Sequence, residues 1–332
     1  MAGFCKPQAC LMKSYPPGNI PDHPSMSLEV AHSKSIDAKA VCLFCVVTFG
    51  LGLSMALPLW LSGLGLRTPT ARILLTLMMF APAVGVLVVR LLCPKSVIPL
   101  VPTTGLGIGP RPRGFGYWLF AWFGFTIIGL ATPFIGVLLG MFHLDLESFS
   151  GYRHLLLQRP DGAAALARFS VQKMALIQLG ALLIAPALNA IFSFGEEWGW
   201  RGFLLPKLLP LGQWPALLWT GALSGLWYSP VILLGYNYPS HPKFGIVLMT
   251  IFCVIFGVLF GWLRLATGSI WPAAIGHGAL NAVGVIPYVV ADGNYPIDTA
   301  HVTILGWTGW ILPLLVILLL VILKRLPVPE PR

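Results

Sequence analysis

Eight apolar runs of about 20 residues dominate this chain and restrict what it can fold into. They lie near 40–61, 72–92, 117–141, 174–195, 212–235, 244–265, 270–291 and 303–323. About 20 apolar residues in a helix cross the roughly 30 Å of hydrocarbon in a bilayer. The runs are rich in Leu, Ala, Val and Gly and lack the alternation of barrel strands, so each is predicted to be a helix.

The predicted fold class is therefore all-α: a polytopic membrane protein with about eight transmembrane helices around a cytoplasm-facing cavity. The composition agrees, because only 10% of the 332 residues are charged and 57% are hydrophobic, whereas a soluble domain has about a quarter of its residues charged. The single transmembrane domain is predicted at 39–323. A polar cytosolic tail at 1–38, expected to be disordered, precedes it, and a second cytosolic tail follows at 324–332. Within the connection at 142–173, residues 152–167 form a weak candidate for an interfacial helix.

The distribution of Lys and Arg predicts that both termini are cytoplasmic. In that orientation the cytoplasmic segments hold 14 of the 21 basic residues, namely Lys6, Lys13, Lys34, Lys39, Arg90, Lys95, Arg111, Arg113, Arg201, Lys207, Arg264, Lys324, Arg325 and Arg332. This bias, together with anionic lipid headgroups, accounts for the net charge of +10. No basic run is dense enough to indicate nucleic acid, and the lipid bilayer is the expected partner.

An adjacent pair of carboxylates is the first candidate for chemistry. Glu196 and Glu197 are the only acidic residues between Asp161 and Asp292, and they are expected at the cytoplasmic end of the fourth span. An ionisable group in a membrane segment is costly and indicates a functional site. Arg201 follows Glu197 by four residues and can pair with it on one helix face, while Glu196 points about 100° away. The alternative is a snorkelling charge cluster at a helix end.

Two further candidates lie on the seventh and fifth predicted spans. His277 and Asn281 are four residues apart and therefore share a helix face. A lone buried histidine is more often a packing residue, but the nearby amide and the acids elsewhere favour a site. Tyr228 precedes Ser229 and Pro230 in the fifth span, where the proline is expected to kink the helix. From the residues alone, Tyr228 is more typical of packing.

The chain resembles the CAAX-protease and bacteriocin-processing family of intramembrane glutamic endopeptidases over about 185–285. Two motifs carry the resemblance, Glu196-Glu197-x-x-x-Arg201 followed by Gly202-Phe203-Leu204-Leu205-Pro206, and His277-x-x-x-Asn281 preceded by Trp271-Pro272. The resemblance implies an intramembrane endopeptidase that cleaves a membrane-proximal peptide or protein. By the same resemblance, Glu196 activates the attacking water, Glu197 and Arg201 support the site, His277 assists the water and Asn281 stabilises the oxyanion.

One motif of that family is absent as usually written. Where relatives have F-x-x-x-H, this chain has Ser224 and Tyr228. A tyrosine can hydrogen-bond a water but, with a pKa of about 10, does not act as a base near neutral pH. The resemblance therefore leaves two interpretations, an active protease and a catalytically inactive member that serves as a membrane scaffold or binding protein.

Two other classes fit the sequence less well. Glu196, Glu197 and His277 could ligate zinc, but H-E-x-x-H is missing and only one histidine lies in an apolar span, so no cofactor is expected. A transporter could also use intramembrane acids. Internal repeats or paired broken helices would favour that reading, and the sequence shows neither.

Overall fold

A computed structural model describes residues 35–109 and 114–329, and most of these residues are helical. Apart from one isolated antiparallel bridge between Leu144 and Ala291, these residues contain no β-structure, which confirms the predicted all-α class. The predicted tail at 1–38 lies almost wholly outside the described residues.

Twelve helices carry the architecture. In chain order they are α1 (Ala38–Leu61), α2 (Ala71–Met78), α3 (Ala81–Leu92), α4 (Phe115–Leu138), α5 (Ser150–Leu157), α6 (Gly162–Arg168), α7 (Val171–Ala181), α8 (Ala185–Leu211), α9 (Gln213–Trp227), α10 (Pro242–Thr267), α11 (Trp271–Val290) and α12 (Thr299–Ile322). Among them, α1, α4, α10, α11 and α12 are each long and apolar enough to cross a membrane. The pair α2 and α3, bent by 44°, and the pair α7 and α8, bent by 59°, bring the number of spans in the described residues to at most seven.

The fifth predicted span, 212–235, forms a shorter helix than its apolar run predicts. Its helix α9 has 15 residues and ends at Trp227, before a separate turn at Ser229–Ile232. The reason is Pro230, which has no N–H to continue the ladder. The hydroxyl of Ser229 donates instead to the carbonyl of Leu226 at 2.6 Å. This break places Tyr228 at the end of a helix rather than within one.

The fourth span is longer than its apolar run. The sequence predicts an end near 195, but α8 continues to Leu211 and changes to π-helical hydrogen bonding over Trp198–Leu204. Glu196 and Glu197 therefore lie in the middle of α8 and not at its end, which corrects the predicted position. The predicted interfacial helix at 152–167 forms as two short helices, α5 and α6.

Close helix approaches, made at small residues, hold α8 in the centre of the bundle. An added Cβ at Gly195 would lie 2.6 Å from the carbonyl oxygen of Met79, and one at Gly199 would lie 2.3 Å from the Pro82 side chain. On the opposite side, a Cβ at Gly278 of α11 would lie 2.4 Å from the carbonyl oxygen of Pro186. Small residues allow this approach in membrane helices, and here they fix the depth and rotation of the acidic pair.

The connections gather at two ends of the bundle. At the first, which we call the terminal end, Asp37 accepts from Ser96 at 2.5 Å and lies 3.4 Å from the Lys207 amine, and Gln213 bonds Val328 near the C-terminus. The second, which we call the mouth end, contains the connections 62–70, 139–170, 233–241 and 291–298. There the backbone N–H of Asp292 donates to His143, and Trp60 donates to the carbonyl of Pro230.

Candidate active site

A cavity of about 610 Å³ penetrates the bundle from the mouth end. Its deep part is lined by five of the six residues predicted for the site: Glu196, Arg201, Tyr228, His277 and Asn281. Its outer wall includes Leu66, Asn237, Pro239 and Thr299, which belong to the mouth-end connections or border them. The remaining wall is mostly apolar, as expected for a pocket that positions a ligand with a few polar groups.

Glu197 is held by two cationic or hydrogen-bonding partners. The carboxylate is fully buried, and its Oε1 lies 2.9 Å from Nη1 of Arg201 and 2.9 Å from Nδ1 of His277. Since an ionised carboxylate only accepts hydrogen bonds, Nδ1 of His277 carries the proton of this contact. The bond fixes the imidazole and leaves its Nε2 available to a partner in the cavity, much as metal and catalytic histidines are oriented by carboxylates.

Glu196 has different surroundings from its neighbour. It is 2% exposed, and both carboxylate oxygens lie within hydrogen-bond distance of the Tyr228 hydroxyl, Oε1 at 2.8 Å and Oε2 at 2.6 Å. The phenol has one proton and donates it to the carboxylate. The two adjacent acids thus differ as their phase on the helix predicts, because Glu197 forms an ion pair while Glu196 receives a neutral donor.

Asn281 borders the same cavity one helical turn from His277. Its Nδ2 donates to the hydroxyl of Ser193 at 3.2 Å, which orients the carboxamide. Ser224, one turn before Tyr228, also lines the cavity and donates to the carbonyl of Gly221 at 2.9 Å. The two positions that depart from the family pattern therefore both face this cavity, and Tyr228 is the one in contact with an acid.

Two residues of the site were not predicted from the sequence. The ring of Phe260 stacks on His277 with centroids 5.7 Å apart, and the Arg201 guanidinium lies 5.3 Å from the centroid of the same ring. Phe260 lies in an apolar run of α10 and gives no sequence signal. Ser193 could have been found, because it precedes Glu197 by four residues and so shares its helix face.

The cavity and the first and last described residues lie at opposite ends of the bundle. The connections that contribute to the cavity wall belong to the mouth end, whereas Asp37 and Val328, near the first and last described residues, belong to the terminal end. Cytoplasmic termini and a cytoplasm-facing cavity were both predicted, and this geometry allows only one of them. The bias of Lys and Arg favours cytoplasmic termini.

Paired acids, an oriented histidine and an amide thus surround one deep cavity of the helical bundle. Residues 174–283 match the sequence model of the family described as type II CAAX prenyl endopeptidase Rce1-like. Over this third of the chain the sequence is similar to that family, in agreement with the resemblance that its two motifs carry. The match covers α8 to α11 almost completely and includes every predicted site residue. Searches of curated proteins and of solved structures found no match.

Proposed function

We propose that the protein is an intramembrane endopeptidase that hydrolyses a peptide bond of a membrane-proximal peptide or protein with a water activated by Glu196. The observation that supports this most strongly is the unequal environment of the two acids. Glu197 is neutralised by Arg201, whereas Glu196 faces the cavity and, within the described part of the chain, accepts its side-chain hydrogen bonds from the neutral Tyr228 hydroxyl. A carboxylate in that situation is a suitable general base.

In the proposed reaction a water binds between Glu196 and the scissile carbonyl. Glu196 takes one proton of the water while the oxygen attacks the carbonyl carbon, and the negative charge moves to the carbonyl oxygen. The carboxamide of Asn281 stabilises this oxyanion by donating a hydrogen bond, and His277 assists through Nε2. When the C–N bond breaks, Glu196 returns the proton to the leaving amine, so two peptides form and the site is regenerated.

Tyr228 supports a second candidate function. Its hydroxyl occupies both oxygens of Glu196, where an attacking water would bind. If this contact persists with a peptide bound, the protein is a catalytically inactive member that binds membrane peptides as a scaffold. In the proposed enzyme, by contrast, the phenol moves aside and donates to the water or to the substrate, which positions them without proton transfer.

Hydrolysis in ¹⁸O-labelled water distinguishes these functions. Purified protein in lipid nanodiscs is incubated with a set of membrane-anchored peptides, and the products are analysed by mass spectrometry. The proposed enzyme yields two fragments, with ¹⁸O in the new C-terminal carboxylate. Recovery of every peptide intact, despite saturable binding, would support the scaffold instead.

A further inference from the structure

Two histidines and one aspartate meet at the rim of the cavity, outside the site described above. Nε2 of His241 lies 2.9 Å from Oδ2 of Asp298, and Nε2 of His301 lies 3.6 Å from the same oxygen. The three potential ligand atoms all lie within 4.8 Å of one another. Each side chain is about one third to one half exposed, so an ion from solvent can reach the cluster.

The backbone holds all three side chains in place. His241 is the N-cap residue immediately before α10, where its carbonyl accepts from the N–H of Gly245 at 2.6 Å. Oδ1 of Asp298 accepts from the N–H of Ala300 at 2.9 Å, which caps the first turn of α12 and leaves Oδ2 for the histidines. The carbonyl of His301 accepts from the hydroxyl of Thr308 at 2.6 Å. The ligand set is thus built on two helix starts and not on free loops.

We propose that His241, Asp298 and His301 form a binding site for a divalent transition-metal ion, with zinc as the representative. Imidazole and carboxylate are usual zinc ligands, at about 2.0–2.2 Å in tetrahedral geometry. Two such ligands are then about 3.3 Å apart, by the tetrahedral angle. The two His–Asp separations of 2.9 and 3.6 Å lie on either side of this value, and all three ligand atoms lie within 4.8 Å of one another, so rotation of the exposed imidazoles brings the three atoms around one ion. Three protein ligands leave the fourth position open.

The indole N–H of Trp307 disfavours metal binding at His301. Its indole N–H donates to Nδ1 of His301 at 3.1 Å, so Nδ1 carries no proton and a neutral His301 has its proton on Nε2, toward Asp298. Binding of an ion at Nε2 moves that proton to Nδ1, and the indole must then turn away. Removal of the indole N–H therefore strengthens metal binding, an effect that adventitious surface chelation would not show.

A bound ion would join two segments that border the cavity. His241 follows the connection that contains Pro239, and Asp298 precedes Thr299, and both Pro239 and Thr299 line the cavity. The ion would cross-link these two segments at the rim of the cavity. This site is independent of the proposed peptidase activity, because none of its ligands lies among the residues around Glu196.

Zinc chloride titration by calorimetry tests the site, using purified protein in detergent without a polyhistidine tag. The parent is expected to bind one zinc ion in this site and to gain thermal stability. His241→Gln and His301→Gln should each lower the affinity at least about tenfold, since even outer-shell changes at metal sites cost 10–100-fold. Trp307→Phe should raise it. His154→Gln, which removes an exposed histidine at the same end, is the matched control and should leave the affinity unchanged.

Three results would overturn the proposal. The first is the absence of saturable zinc binding to the parent. The second is binding by His241→Gln and His301→Gln that equals the parent, which would place the ion elsewhere. The third is loss of binding in Glu196→Gln with His241 intact, which would place it among the buried acids. Unchanged or weaker binding by Trp307→Phe would refute the tautomer argument on which the geometry rests.

Discussion

Arg201→Ala should destabilise the protein far more than Glu196→Ala, because Arg201 neutralises a carboxylate that is fully buried. The guanidinium nitrogen lies 2.9 Å from Oε1 of Glu197, and both side chains are at most 5% exposed. At an effective dielectric constant of about 20, two unit charges at that distance attract by about 6 kcal/mol. Loss of one partner from a buried pair costs about 3–5 kcal/mol in practice.

Two structural details adjust this expectation. His277 also contacts Oε1 of Glu197 and can take up a proton when the arginine is gone, which moves the cost toward the lower end of that range. Oε2 of Glu197 has no protein partner among the described residues, so it offers no compensation. Glu196→Ala removes a carboxylate without leaving an opposite charge unpaired. The free energy of unfolding should therefore fall only by the contribution of the Tyr228 hydrogen bond, about 1–3 kcal/mol.

Thermal unfolding in detergent, followed by tryptophan fluorescence or by soluble fraction after heating, measures this difference. The matched control is Glu197→Gln in the Arg201→Ala background, which removes the stranded charge and should restore part of the stability. Equal melting temperatures for Arg201→Ala and Glu196→Ala would refute the assigned roles. Failure of Glu197→Gln to restore any stability would show that Arg201 acts through packing on Phe260 and not through its charge.

Three further outcomes are expected. Tyr228→His should raise peptidase activity by about 10²–10⁴-fold, because a positioned imidazole shares a proton where a phenol does not. Tyr228→Phe should abolish any activity of the parent. No change in either variant would place Tyr228 outside the mechanism. Single cysteines at Asn294 and Lys324, in a background without exposed native cysteines, should react with a membrane-impermeant maleimide from opposite sides of the membrane, and labelling from one side would contradict the two-ended arrangement. The hydrogen bond from Ser96, opposed by burial and aided by the Ala40 N–H and by Lys207, lowers the pKa of Asp37 below its ordinary 3.8. The stability that ionised Asp37 contributes is therefore complete above about pH 3.8 and is lost as the pH falls through the lower pKa of the folded protein. Asp37→Asn should melt earlier than the parent at pH 6 and should lack the parent's loss of stability below pH 4.

Local spacing predicted much of the site. The separation of four residues between Glu197 and Arg201 predicts their ion pair, and the one-residue offset of Glu196 predicts its different partner, as the structure shows. The relative direction of these side chains depends only on residue spacing along one helix, and that spacing can be read from the sequence. The apolar runs likewise predict the class of fold, because the bilayer dictates their length.

Long-range features could not be read from the sequence in the same way. The contact of Phe260 with His277 depends on how α10 packs on α11, and the end at which the cavity opens depends on the arrangement of all the spans. The apolar run at 212–235 suggested a full span, although Pro230 divides it. The cluster of His241, Asp298 and His301 joins residues 57 and 60 positions apart in the chain, and only the packing of α12 against α10 brings them together.

The most direct test of the central claim is the rate of peptide hydrolysis by Glu196→Gln relative to the parent. Glutamine keeps the shape of the side chain and can accept the hydrogen bond of Tyr228, but it does not take a proton from water. With a peptide that the parent cleaves, we expect the rate to fall by at least about 100-fold, the lower range for loss of a positioned acid–base group, with the melting temperature nearly unchanged. Glu147→Gln, at an exposed acid of the mouth end, should retain the parental rate. Undiminished hydrolysis by folded Glu196→Gln would contradict the proposed mechanism.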